Sequence, residues 1–302
     1  MIRLVSNKSD GPVMDRISLR RAGPGMAVAV AAAVLSVMLA SCSSPVAAGS
    51  RPGGQELRRA LAAWSRFPAA ASPRPLVLTG PDITAPPAGF PSGADKLAYE
   101  AGAITFPPAM PHGPVSAGGF RVITAGQAAA LLRPGAVTGP PAHTRLRVTT
   151  VRLGAATFVT DRGLRRLPAW LFSFAAVHGP AAVLAVAPAQ IFPPPAPAGE
   201  GAPMVNWAFS RTGGRALTVR FTGAPAGRGP CTASYSVQAA ESATAVAVAV
   251  IEHPHASGTV ACSAVGYSRQ ATTRLAGPLG ARVVVDVVSR AAVPVTSGHS
   301  PS

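Results

Sequence analysis

The sequence is poor in acidic residues, in cysteine and in catalytic motifs, and each shortage excludes a class of function. It has 11 acidic residues against 27 basic ones, and only 3 cysteines. So few carboxylates make a close carboxylate pair for glycosidic chemistry difficult to assemble. The chain contains no Gly-x-Ser-x-Gly elbow, no His-Glu-x-x-His pattern, no phosphate-binding glycine loop and no metal-spaced cysteines. These absences exclude the enzymes that such motifs define, and no cofactor is expected.

Almost every basic residue is an arginine, and the formal charge is +16. Lysine occurs only at Lys8 and Lys96. The arginines are spread along the chain and are not interleaved with stacking aromatics, so nucleic acid is not an expected partner. A basic surface favours anionic lipids or acidic wall polymers instead. An ordinary solvated surface, in a chain with the arginine-rich composition of a GC-rich genome, explains the same charge.

The most informative stretch is the apolar run Met26–Ala40, which follows three arginines at positions 16, 20 and 21. The run leads into Leu39-Ala40-Ser41-Cys42, which resembles the lipobox of bacterial lipoproteins. That resemblance implies a diacylglycerol on the Cys42 thiol, cleavage before Cys42, and a lipid-anchored protein on the outer face of the cell membrane. The alternative is an uncleaved anchor, but the run is shorter than the roughly 20 residues that a spanning helix needs.

The cysteine count agrees with lipidation. A lipidated Cys42 leaves Cys231 and Cys262 as a pair. An oxidising exterior permits a disulfide between them, and closing a loop of about 30 residues contributes roughly 3.5 kcal/mol in the chain-entropy treatment. Two buried free thiols are the alternative.

Proline, glycine and alternation patterns divide the chain into segments. The predicted organisation is a signal peptide over 1–41, a tether over 42–54, an N-terminal α+β domain over 55–187, a Pro-rich linker over 188–203, a C-terminal β domain over 204–292 and a tail over 293–302. Apolar spacing predicts helices at Gln55–Arg66 and Ala125–Leu132, and a helical turn at Asp95–Glu100.

Strand patterns dominate the remainder, so the predicted fold is α+β but mainly β, with antiparallel sheets and a sandwich-like C-terminal module. Asp161-Arg162-Gly163 is predicted to be a turn. The predicted strands are Leu76–Leu78, Thr144–Thr149, Ala155–Thr160, Leu167–Val177, Ala181–Ala187, Leu217–Thr222, Cys231–Gln238, Ala245–Ile251, Ala261–Tyr267, Thr272–Leu275 and Arg282–Val288.

Several short pieces of the mature chain resemble those of uncharacterised exported lipoproteins of actinomycetes. They are Trp64…Phe67-Pro68, Pro73-Arg74-Pro75-Leu76-Val77-Leu78, Thr160-Asp161-Arg162-Gly163…Leu167-Pro168-Ala169-Trp170-Leu171-Phe172, and Pro278-Leu279-Gly280. The resemblance concerns layout and implies no activity, so no functional residue is carried over from it.

Glu252-His253-Pro254-His255 is the sharpest candidate for chemistry. Two histidines at i and i+2, with Glu252, could bind a divalent metal. The alternative, which we prefer, is the polar tip of a hairpin between the strands Ala245–Ile251 and Ala261–Tyr267, because a ligand cluster normally brings a third ligand and a supporting shell of hydrogen bonds.

Other polar and aromatic candidates have ordinary structural explanations. His143 and His178 stand alone beside proline or glycine, which favours loop or core histidines. Asp286 is expected to pair with Arg274 or Arg282. Three aromatic residues, Trp170, Phe172 and Phe174, share one strand face and are expected in the core.

The leading hypothesis is a non-catalytic module, tethered to the membrane, that binds or supports a component of the cell envelope, including an envelope protein. A second hypothesis is an envelope hydrolase whose site is assembled from distant residues such as His143, His178 or His253. A third is a carrier for a lipid or another hydrophobic ligand, which requires a dry cavity between sheets.

Overall fold

The computed structural model describes residues 53–133, 144–196, 205–255 and 261–298. They belong to one compact unit, Gly49–Ser302. The described part is mostly β with three α-helices, which confirms the predicted fold class. None of its helices is long and apolar enough to cross a membrane. The predicted signal peptide, Cys42 and His143 lie outside the described residues.

The three helices are close to the predicted positions. They are α1 (Gly54–Ala63), α2 (Gly93–Glu100) and α3 (Ala125–Leu131). Side-chain caps explain where two of them begin. Ser92 accepts a hydrogen bond from the Asp95 backbone before α2, and Thr124 with Gln127 forms a reciprocal capping box before α3.

The first half of the chain forms a five-stranded sheet and a small hairpin. The strands are β1 (Ile83–Thr84), β2 (Ile104–Thr105), β3 (Ser116–Ala117), β4 (Phe120–Arg121), β5 (Leu146–Thr160), β6 (Gly163–Phe174) and β7 (Ala181–Leu184). The sheet order is β1-β7-β6-β5-β2, and β3 pairs with β4. The two predicted strands on either side of Gly154 are one continuous strand, β5.

The central position of β6 explains its apolar sequence, because both of its faces are covered. On one face, Trp170, Phe172 and Phe174 pack with α2 and α3 residues, which confirms their predicted place in the core. On the other face, Leu167 and Leu171 pack with residues of β7 and the Leu76 segment.

The second half of the chain is a sandwich of two sheets. Its strands are β8 (Val205–Ser210), β9 (Ala216–Gly223), β10 (Ala233–Glu241), β11 (Ala245–Pro254), β12 (Tyr267–Arg274), β13 (Val283–Asp286) and β14 (Val295–Thr296). The sheet orders are β10-β11-β13 and β12-β9-β8-β14. Alternate residues of β11 and β9, such as Val248 and Val219, meet in the core between the sheets.

The structure corrects three predicted elements. The strand that contains Ala245–Ile251 continues to Pro254 and pairs with β10, while β12 begins at Tyr267 and pairs with β9 in the other sheet. The Glu252–His255 segment is therefore not the tip of a hairpin to the following strand. The predicted tail begins with a buried strand, β14, because Val293 and Val295 fill the edge of the sandwich core. Leu76–Leu78 makes only isolated bridges, to Ile191 and Thr160.

Helix α1 lies against the second half of the chain. Leu57, Ala60 and Trp64 pack on the outer face of the β10-β11-β13 sheet, against residues such as Ala247 and Val285. This contact joins segments on both sides of the predicted linker at 188–203. The linker position itself stays a prediction.

Candidate functional site

The tip of the β5–β6 hairpin contacts the second half of the chain at Val295 and Arg282. The turn predicted at Asp161-Arg162-Gly163 is present and consists of Asp161 and Arg162, and Thr160 Oγ1 donates to the Gly163 carbonyl over 2.9 Å. Gly163 has a φ of +74°, and a Cβ there would lie 2.7 Å from Thr296 Cγ2. Only glycine therefore fits the close approach of this tip to β14.

Asp161 is the buried anchor of this tip, with 2% of its surface exposed. Its carboxylate forms an ion pair with Arg74, whose Nη1 donates to Oδ1 over 3.3 Å, and a second with Arg162 Nε at 3.6 Å. Its backbone N–H donates to the Val77 carbonyl, and its carbonyl accepts from Val295 N. The sequence showed Asp161 only as a turn residue, so this burial was not predicted.

Arg162 extends from the tip toward the sandwich, where its Nη2 donates to the Arg282 carbonyl over 3.1 Å. Burial lowers the pKa of the Arg162 guanidinium, the Asp161 charge raises it, and the Arg74 charge lowers it again. The Arg162 guanidinium is thus a partly desolvated cation, and it shares its one acidic neighbour, Asp161, with Arg74.

Arg282, one of the two arginines expected beside Asp286, forms an ion pair with a different carboxylate. Its Nη1 binds Glu241 Oε2 at 2.7 Å. Burial acts to raise the pKa of Glu241, but hydrogen bonds from the Ala276 backbone and from Arg282 hold it below the usual value. Asp286 is 1% exposed, and its Oδ2 accepts from both the N–H and the hydroxyl of Ser289 at 3.0 Å.

A cavity of about 200 Å³ opens beside Arg162, and we call it the junction pocket. Its lining residues are Arg162, Ser210, Arg211, Thr212, Gly213, Leu279, Gly280, Val295 and Ser297. Two guanidinium groups and three hydroxyls supply hydrogen-bond donors, and no carboxylate stands among these described lining residues. The Ser210 hydroxyl is buried and has no hydrogen-bond partner in the described part of the chain. This arrangement suits an anionic group.

Sequence reasoning did not find the junction pocket, because its residues are far apart in the chain. Arg74 and Asp161 are separated by 87 positions, and Arg162 and Arg282 by 120. One signal was present nevertheless. Three of the short pieces singled out in the sequence, which contain Arg74, Arg162 and Leu279, meet at this junction.

The Glu252–His255 segment does not bring its three candidate ligands together. His253 Nε2 lies 2.8 Å from Ser236 Oγ, and His255 Nδ1 lies 3.0 Å from Thr232 Oγ1. Glu252 hydrogen-bonds the side chain of Tyr235, whose pKa is raised chiefly by burial. Because side chains alternate along a strand, Glu252 faces away from the two histidines. No cluster of three metal-ligating side chains occurs among the described residues.

His178 lies in the exposed connection between β6 and β7, where it borders a cavity of about 160 Å³ with Phe90. His253 lies on β11, in a different sheet. Among the cavities of the described residues, none is lined by both His178 and His253, so these two histidines of the hydrolase hypothesis share no cleft.

Cys231 and Cys262 are brought together as expected, with their sulfur atoms at disulfide distance, 2.10 Å. Cys231 precedes β10 in one sheet of the sandwich, and Cys262 precedes β12 in the other. The pair therefore joins the segments that lead into the two sheets.

We expect a Cys231→Ser, Cys262→Ser double variant to lose roughly 3.5 kcal/mol of unfolding free energy, because the unfolded chain regains the freedom of a loop of about 30 residues. Urea denaturation of the oxidised protein and of the variant measures this loss. A reductant should shift the midpoint of the wild type by the same amount and leave the variant unchanged. Equal stability of the oxidised protein and the variant would contradict the prediction.

Two further cavities lie around the first sheet. One of about 320 Å³ is mostly apolar, with Leu131, Leu184 and Val186 in its lining and Asp82 as the one acidic residue described there. It borders α3 and β7 and does not lie between the sandwich sheets. The other, of about 370 Å³, has a mixed lining that includes Arg74 and Arg165.

Comparison with known proteins adds no function to this geometry. The resemblance to exported lipoproteins of actinomycetes stays a prediction. No protein family, curated protein or solved structure matches the chain.

Proposed function

We propose that this protein is an exported lipoprotein, anchored in the outer face of the cell membrane through Cys42, whose folded body is a non-catalytic binding or accessory module of the cell envelope. The observation that carries the anchor is the apolar run Met26–Ala40 with Leu39-Ala40-Ser41-Cys42 at its end. The oxidising location also accounts for the Cys231 and Cys262 pair as a disulfide.

The chemistry of the junction pocket supports binding over catalysis. Arginine and hydroxyl donors line it, and such groups hold a ligand without moving a proton at neutral pH. A hydrolase of the kind considered above needs a histidine or carboxylate base within hydrogen-bond reach of its nucleophile. His178 lies in the connection between β6 and β7, His253 lies on β11, and neither lines this pocket.

The charge of the chain indicates the partners. Basic residues outnumber acidic ones by 27 to 11, and a cationic body held at the membrane attracts anionic headgroups and acidic wall polymers. An envelope protein with an acidic surface is favoured by the same attraction.

A second candidate function is a carrier for a hydrophobic ligand. The apolar cavity that Leu131, Leu184 and Val186 help to line supports it, because ligand pockets are mostly apolar and start at about 300 Å³.

Intact-mass analysis of the full-length protein, extracted from the membranes of a host that processes lipoproteins, tests the anchor. We expect residues 1–41 to be absent and Cys42 to carry the mass of acyl chains. A Cys42→Ser variant should remain unprocessed, whereas the Cys231→Ser, Cys262→Ser variant should be lipidated normally. An unmodified Cys42, or retention of Met26–Ser41, would contradict the proposal.

Cross-linking of the lipidated protein in native envelopes tests the binding role. Recovery of one recurrent envelope protein would support an accessory subunit, and recovery of anionic lipid or wall polymer would support direct envelope binding. A reproducible turnover of an envelope substrate that is lost on mutation of the junction pocket would show an enzyme instead.

A further inference from the structure

The junction pocket is built before any ligand arrives, because protein contacts hold its central cation in place. Arg162 uses Nε toward Asp161 and Nη2 toward the Arg282 carbonyl. A guanidinium carries five N–H groups, so these contacts fix its orientation and leave Nη1 for a ligand. A cation held in this way loses little further freedom on binding.

The Ser210 hydroxyl supplies the second fixed contact. Ser210 ends strand β8, and its Oγ is buried without a hydrogen-bond partner in the described part of the chain. A buried polar group without a partner is costly in free energy. Since Ser210 lines the junction pocket, a ligand oxygen there would remove that cost.

The local charge selects an anion. Arg74 and Arg162 share the single carboxylate of Asp161, and Arg211 adds another positive charge at the exposed rim. Arg282, whose carbonyl accepts from Arg162, is itself neutralised by Glu241. A cationic ligand would therefore be repelled, and a neutral one would leave the excess positive charge uncompensated.

The shape of the donor set favours phosphate over carboxylate. The donors that line the pocket come from three separate places: Arg162 of the hairpin tip, Ser210 and Thr212 at and just after the end of β8, and Ser297 after β14. Donors around a centre match a tetrahedral oxyanion, whereas a carboxylate accepts in one plane. At about 200 Å³, the pocket is smaller than the roughly 300 Å³ of ordinary ligand pockets, so it takes a single group.

We propose that the junction pocket binds the phosphate group of an anionic envelope component, with Arg162 and the Ser210 hydroxyl as its principal contacts. This inference rests on the proposed binding function and names the ligand chemistry of that module. The phosphate belongs either to a free phosphate or phosphomonoester, or to the phosphodiester of a lipid headgroup or wall polymer.

Calorimetric titration of the full-length, detergent-solubilised protein with inorganic phosphate, glycerol 3-phosphate, glycerophosphoglycerol and acetate tests the inference. We expect at least one of the three phosphate compounds to bind saturably, with one molecule bound per chain. Arg162→Gln should weaken it at least about tenfold, since a charge-assisted contact is lost, and Ser210→Ala about fivefold. Ser210→Ala removes an unpartnered hydroxyl, so its unfolding midpoint should not fall, and it tests the site even where Arg162→Gln destabilises the fold.

Arg59→Gln is the matched control, because it removes the same charge from an exposed position on α1. It should leave binding unchanged. Tighter binding of inorganic phosphate or glycerol 3-phosphate would identify the ligand as a free ion or a phosphomonoester. Tighter binding of glycerophosphoglycerol would identify it as a phosphodiester. Equal loss in Arg59→Gln and Arg162→Gln, preference for acetate, or no saturable binding would overturn the inference. Such failure with a lipidated Cys42 would leave the proposed anchor intact.

Discussion

Replacing Asp161 with asparagine should lower the free energy of unfolding by about 3 to 5 kcal/mol. The Asp161 side chain is 2% exposed and binds two arginines, Arg74 and Arg162, whose side chains are 19% and 28% exposed. Asparagine keeps the shape but removes the charge, which leaves two partly buried cations facing each other without compensation. Urea denaturation followed by circular dichroism measures the loss.

An exposed ion pair provides the control for this effect. Lys96 and Glu100 lie on one face of α2 with their charged atoms 3.7 Å apart, and both side chains are more than half exposed. Glu100→Gln should therefore change stability by no more than about 0.5 kcal/mol. If Asp161→Asn were equally mild, the hairpin tip would not be the anchor between the two halves of the chain.

Replacing Trp64 with alanine should cost about 3 to 5 kcal/mol of unfolding free energy. Trp64 is fully buried after α1, and its Nε1 donates to the Arg290 carbonyl over 2.9 Å. Its ring also packs against Phe67 and Phe192, with centroids 6.0 and 5.6 Å away. Truncation removes this apolar contact, leaves a cavity and leaves the partly buried Arg290 carbonyl without this donor. Thermal and urea denaturation of the full-length variant measure the cost.

Leu97 on α2 is the matched control, because its side chain is large and apolar but 63% exposed. Leu97→Ala should change stability by no more than about 0.5 kcal/mol. A Trp64→Phe variant should fall between the two, since it retains most of the apolar volume and loses the hydrogen bond to Arg290. A Trp64→Ala effect as small as that of Leu97→Ala would show that α1 does not pack on the β10-β11-β13 sheet.

Local sequence patterns predicted those helices, strands and turns that depend on residues close together in the chain. The sequence placed α2 and α3 within two residues of their observed ends, and the caps at Ser92 and Thr124 explain where they begin. The continuous apolar runs identified β6 and β7 as strands covered on both faces. The Asp161-Arg162-Gly163 turn followed from its residue types, and the cysteine count predicted the Cys231 and Cys262 pair.

Contacts between distant segments escaped the same reasoning. Nothing in the Glu252–His255 stretch indicates that β11 pairs with the preceding strand and that the following strand joins the other sheet. The end of the chain was likewise predicted to be a polar tail, but Val293 and Val295 are buried at the edge of the sandwich. The sequence offered Asp286 two arginine partners, Arg274 or Arg282, and only the fold showed that Arg282 binds Glu241.

The sequence by itself determined the periodicity of the strands, the ends of two helices and the prediction of a lipidation site at Cys42, because each depends on residues within a few positions of one another. The tertiary structure decided that α1 covers the second half of the chain and that Asp161 is a buried anchor. It also decided that Arg162 and Ser210 share a pocket. Such contacts depend on which apolar faces remain exposed after the strands have paired. Which element covers each face is decided by the burial of apolar surface over the whole molecule, and this cannot be read from a local stretch of sequence.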